Sequence, residues 1–186
     1  MATIKVYSVV DGNDIQRVLE QGADWISMDF NPQSPRYVSM VPTHAGIIPD
    51  RAHDNMPSES RHMPKKLGIF TDDMPQNIVT RVVNYHLDIV LMNGHETPTL
   101  LRNLRRTLDP DIRPGIVFIK RIDTGSAYNK EAGREYEDCA DFLLFQAKSE
   151  PDQSGTLQGG IAIELHGIDG GTQAEGHFVL LPTGRQ

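Results

Sequence analysis

The feature that most constrains the fold of this 186-residue chain is a regular alternation of short apolar runs with segments of helical period. TIKVYSVV reads as a first strand and DGNDIQRVLEQG as the helix after it. In that helix Ile15, Val18 and Leu19 share one face, Asp11 or Asn13 is placed to cap the start, and Gly22 closes the end. DWISMDF is a second strand, KLGIFTD a third, LDIVLMN a fourth, GIVFIKRI a fifth, ADFLLFQAK a sixth and HFVLL a seventh. Helices are expected from about Pro75 to His86, with Ile78, Val82 and Val79 inward, and over TPTLLRNLRRTL, with Thr97 as N-cap and Pro98 opening the first turn. NKEAGREYED is a weaker helix, and residues 49–64, with three prolines among polar residues, form a loop. Strands alternating with helices imply βαβ units and a parallel sheet, either an open doubly wound sheet or a barrel.

Composition excludes several functions. A formal net charge of −7 leaves no basic footprint for nucleic acid or an anionic membrane surface. Arg102, Arg105 and Arg106 fall on what reads as the solvated face of one helix. No apolar run approaches the roughly 18 residues a membrane span needs, and Cys139 is the only cysteine, so no internal disulfide can form. The N-terminus lacks the features of a signal peptide, and a cytoplasmic location is expected. The dinucleotide and P-loop fingerprints are both absent. His44, His53, His62 and His95 show no recognised ligand spacing, so no metal site and no cofactor are expected.

Several segments resemble the phosphoribosylanthranilate isomerase family in order along the chain. IKVYS is similar to its first strand, I-K-I/V-C-G, and ADWISMDFNPQSPRYVS to the second strand leading into S-P-R-Y-V-S. KLGIFTD resembles V-G-V-F-V-N, LDIVLMNGHETP resembles L-D-V/I-V/I-Q-L-H-G-x-E-T/S-P, and CADFLLFQAK resembles a sixth strand ending L-L-L/F-D. The similarity runs from Thr3 to about Lys148 and is patchy beyond.

The resemblance implies one domain over residues 1–186 with a TIM-barrel-like parallel β/α fold and the site at the C-terminal strand ends. It also implies an Amadori-type isomerisation in tryptophan biosynthesis, in which an acid after strand six opens the ribose ring and a cysteine after strand one removes a proton. Here the cysteine position falls on Tyr7 and the acid position on Gln146. Glutamine has no proton to give, and a phenol is a poor base at neutral pH. Both residues also have plainer readings, Tyr7 as a core or pocket-filling aromatic and Gln146 as a hydrogen-bonding group. A degenerate relative of the isomerase is therefore expected. The alternatives are an isomerase using other groups, such as Asp29, and a different sugar-phosphate isomerase or lyase on the same scaffold.

The family histidine falls on Asn93, while Gly94, Glu96 and Arg36 are retained, and Arg36 suits a planar carboxylate. Thr183 and Gly184 are placed to keep part of a phosphate loop. The expected ligand is small, phosphorylated or anthranilate-like. Asp29 is expected to pair with Lys5 or Lys120 inside the barrel. About seven strands are expected, with the eighth βα unit missing. That would leave edges that favour a homo-oligomer, unless the glycine-rich segment 155–176 forms a protective loop or a hairpin.

Overall fold

The computed structural model describes residues 3–10, 12–39, 63–123, 130–147, 161–166 and 177–183. Its elements in chain order are β1 (Thr3–Ser8), α1 (Gly12–Glu20), β2 (Trp25–Asp29), β3 (Lys65–Phe70), α2 (Pro75–Tyr85), β4 (Ile89–Met92) and α3 (Pro98–Leu108). β5 (Val117–Ile122), a 3₁₀ helix (Lys130–Tyr136), β6 (Phe142–Ala147), β7 (Ile161–His166) and β8 (His177–Pro182) follow.

The local signals behave as their chemistry requires. Thr97 accepts a hydrogen bond from the Leu100 N–H at 3.3 Å, and Pro98 opens α3 where no N–H is needed. Ile78 and Val82 are buried on α2, and Gly22 follows α1 with φ +72°, a left-handed turn suited to glycine. Asp11, the Asn13 side chain and residues 40–62 lie outside the described residues, and with them that cap and most of the expected loop. The weak helix is a 3₁₀ helix. Two of the three arginines expected on a solvated face make ion pairs, Arg102 at the surface and Arg105 largely covered. Arg102 grips Asp138 with two hydrogen bonds (2.6 and 2.9 Å), and Arg105 bonds Asp141 at 2.6 Å while stacking over Phe118.

The sheet is a closed barrel in the order β1-β2-β3-β4-β5-β6-β8-β7. The fold is TIM-barrel-like: β1 to β6 run parallel through successive crossovers, and β7 joins β1 in parallel. β8, the run expected as a seventh strand, is the eighth and lies antiparallel between β6 and β7. IAIELH, which the sequence left in a loop, is β7. Of the alternatives open for the glycine-rich segment, an antiparallel pairing of its flanks closes the sheet. Among the described residues no helix follows β6, so the barrel is short of βα units yet complete in hydrogen bonding. Each described strand has two neighbours. Self-association through open barrel edges therefore has no open edge to use among them.

Two apolar clusters divide the molecule. One contains strand residues alone, drawn from all eight strands, including Val6, Leu67, Ile89, Leu91, Ile119, Leu144, Ile163 and Leu180; it fills the barrel interior. The other joins the buried helix faces, Ile15 and Val18, Ile78 and Val82, Leu101 and Leu104, to strand residues of opposite parity such as Ile26, Phe70, Val90 and Phe118. It forms the layer between barrel and helices. Strand alternation thus divides these apolar side chains between the two layers.

Candidate active site

The interior faces of three adjacent strands end in polar residues at the C-terminal rim. β3 carries Leu67 and Ile69 inward and is followed by Thr71; β4 carries Ile89 and Leu91 and is followed by Asn93; β5 carries Val117 and Ile119 and then Arg121. They are linked. Arg121 Nη1 donates to Asn93 Oδ1 at 3.0 Å, and Asn93 Nδ2 donates to Thr71 Oγ1 at 3.4 Å. The result is a half-buried shelf of amide, hydroxyl and guanidinium above an apolar floor. Such a shelf can hydrogen-bond an oxyanion or a sugar hydroxyl.

Tyr7 does not face this rim. Its neighbour Val6 belongs to the interior cluster, whereas Tyr7 belongs to the helix-facing cluster with Val9 and Ile15. There it is 6% exposed and stacks on His166 of β7, with ring centroids 4.8 Å apart. Tyr7 is thus a core aromatic, and the β1 residue in step with the interior is Ser8, beside Ser27 of β2. The backbone of Gln146 pairs opposite Phe178 of β8, in step with Phe142 and Leu144 of the interior; its side chain lies outside the described residues.

Thr183 lies at the wrong end for a phosphate loop. Because β8 is antiparallel, its last residues reach the N-terminal end of the parallel strands. There Thr183 Oγ1 donates to the carbonyl of Ala140 at 2.7 Å, just before β6. Gly184 lies outside the described residues. Arg36 sits in the loop after β2, its N–H bonded to Ser34 Oγ at 3.2 Å. Asp29 anchors that loop, its Oδ1 accepting from the Asn31 N–H at 2.9 Å and its carbonyl from the Val38 N–H at 2.8 Å.

Lys120 does not reach Asp29 and Lys5 is exposed; the buried ion pair forms elsewhere. Lys120 Nζ meets Glu96 Oε2 at 2.8 Å and the Gly94 carbonyl at 2.5 Å, with the two charged side chains 4% and 1% exposed. Glu96 also accepts from the backbone N–H groups of Asp72 (2.9 Å) and Gly94 (3.1 Å), and Tyr136 Oη donates to its carbonyl. Reasoning from the strands alone missed this pair, although the retained G-x-E spacing was its signal. The carboxylate ties the β3 and β4 loops together, and a Cβ on Gly94 would come within 2.6 Å of the Asp72 carboxyl.

Asp72, at φ 49°, accepts from the His95 N–H at 2.6 Å and meets His95 Nδ1 at 3.1 Å. Those hydrogen bonds, the backbone one foremost, hold the Asp72 carboxyl below its ordinary pKa. The imidazole is 97% exposed. His44, His53 and His62 lie outside the described residues, among which no three or more His, Cys, Asp or Glu side chains converge on a possible metal position. No helix among the described residues is long and apolar enough to cross a membrane.

No family model matches the chain. It is 29% identical over 162 residues to the N-(5'-phosphoribosyl)anthranilate isomerase of Paramagnetospirillum magneticum, covering 87% of this chain and 67% of that one. It is 27% identical over 142 residues to the isomerase of Phocaeicola vulgatus, covering 76% and 58%. The chain thus spans about three-fifths to two-thirds of these relatives' length. Among solved structures, that of the phosphoribosyl anthranilate isomerase from Thermus thermophilus aligns with a TM-score of 0.57 at 18% identity, over 90% of this chain and 77% of that one. Monomers generated from the dimeric enzyme of Thermotoga maritima align with a TM-score of 0.58 at 19% identity, over 90% and 75%. Identities this low carry the fold and no more; the curated relatives share the name of the family that the strand motifs from IKVYS to CADFLLFQAK resemble. Over most of its length the chain is thus similar to phosphoribosylanthranilate isomerases, as a divergent relative.

Proposed function

We propose that this chain binds a small phosphorylated or anthranilate-like ligand at the C-terminal rim of its barrel and does not perform the family's Amadori rearrangement. The observation that carries this reading is the parity of β1, where Val6 faces the interior and Tyr7 the helix layer. The residue at the family's base position therefore cannot reach a sugar bound at the rim. The acid position holds Gln146, which has no proton to transfer. General acid–base catalysis needs both groups within hydrogen-bond reach of one substrate. A cytoplasmic setting fits the single, buried cysteine and is part of the same proposal.

A second reading, turnover by other groups, has one observation in its favour. Asp72 and His95 form a carboxylate–imidazole pair on loops at the rim, an arrangement able to move protons. One pair of measurements decides between the two readings. The first is binding of reduced 1-(o-carboxyphenylamino)-1-deoxyribulose 5-phosphate, the compound present in a crystal structure of a related isomerase. The second is turnover of phosphoribosylanthranilate, followed by loss of its fluorescence. Saturable binding without turnover is expected. Turnover above the uncatalysed rate refutes the proposal, and its loss in His95→Gln would establish the second reading.

A further inference from the structure

We propose that Arg121, oriented by Asn93, is the oxyanion-recognition residue of the rim, taking a carboxylate or phosphate group of the ligand at the β4–β5 side. This rests on the ligand-binding reading above and names where the ligand's charge is held.

Three observations converge. First, Arg121 ends the interior face of β5, where Val117 and Ile119 lie in the barrel-filling cluster, so a guanidinium caps an apolar floor. Second, Asn93 accepts from Arg121 at 3.0 Å and is itself tethered to Thr71, so two adjacent loops fix the guanidinium. A fixed planar fork suits a carboxylate or a phosphate better than a free chain does, because less side-chain freedom is lost on binding. Third, two other candidates, Lys120 and Thr183, are engaged elsewhere. Lys120, next along β5, is buried against Glu96, and Thr183 lies at the opposite end of the barrel. Asp29 stands on β2, three strands from β5 around the barrel, so the rim carries opposite charges on separate walls. The ligand class that matches is a small molecule with an apolar body for the floor and an anionic group for Arg121.

The test is calorimetric titration of the reduced, phosphorylated analogue named above into the wild type, Arg121→Gln, Asn93→Asp and Thr183→Ala. Arg121→Gln should weaken binding about tenfold or more, as expected for losing a charged hydrogen bond. Asn93→Asp, which sets a competing carboxylate against the guanidinium, should weaken it similarly and decides the matter alone if Arg121→Gln does not fold. Thr183→Ala should leave the Kd unchanged. Repeating the titration with the dephosphorylated analogue identifies the source. A cost of Arg121→Gln that persists assigns Arg121 to the carboxylate, and one that vanishes assigns it to the phosphate. Unchanged Kd in both rim variants overturns the inference while leaving the ligand-binding reading standing. Absence of binding to the wild type refutes both.

Discussion

Replacing Glu96 by alanine should be among the most damaging single changes available to this protein. Its carboxylate is 1% exposed and meets a Lys120 ammonium that is 4% exposed, at 2.8 Å. Removing one partner of such a buried pair strands the other, at about 3–5 kcal/mol. The same carboxylate is an acceptor for the Asp72 and Gly94 N–H groups. Each adds about 1 kcal/mol or more if nothing replaces the bond. Water entering the space offsets part of this, so a loss of about 4 kcal/mol is expected, against a total stability of about 5–15 kcal/mol for a domain. At about 2–4 °C per kcal/mol for a chain of this size, Tm should fall by roughly 8–16 °C. Glu96→Gln, which keeps an acceptor but not the charge, should cost about half as much. Urea unfolding followed through Trp25 measures both, since this sole tryptophan packs against the barrel interior. A Glu96→Ala loss below about 1 kcal/mol, with the urea slope unchanged, would show that Lys120 finds another partner or sheds its proton at little cost, and would refute the reasoning.

Two further outcomes follow from named contacts. The Asp72 pKa is depressed in the folded state, chiefly by the His95 backbone hydrogen bond, so its stabilisation is present above the ordinary Asp value of 3.8 and is lost as pH falls through the lower folded value. The urea midpoints of wild type and Asp72→Asn should therefore converge on acidification, and a constant gap would disprove the assignment. Cys139 is 1% exposed and burial pushes its thiol pKa up, so a disulfide-exchange reagent should modify it about a hundredfold more slowly in native than in urea-unfolded protein; comparable rates would show that the region opens readily.

Local periodicity and capping chemistry suffice to place β1 to β6 and the three α-helices, because those signals act over a few residues. Thr97 followed by Pro98 starts a helix wherever the chain goes next, and Ile78 and Val82 mark a buried face before any partner is known. The strand motifs carry the resemblance to the isomerases in the same way. Other features depend on which groups meet across the barrel. β8 chose an antiparallel place between β6 and β7 because that pairing satisfies both open edges, a choice no local pattern records, and it carried Thr183 to the end opposite the rim. Lys120 found Glu96, 24 residues away in sequence, because a buried ammonium settles where a carboxylate can be desolvated with it. Tyr7 turned outward because side chains alternate along a strand, so a register offset of one residue decides between barrel interior and helix layer. The residue types at the site belong to the sequence; which of them face one another is a property of closing the sheet.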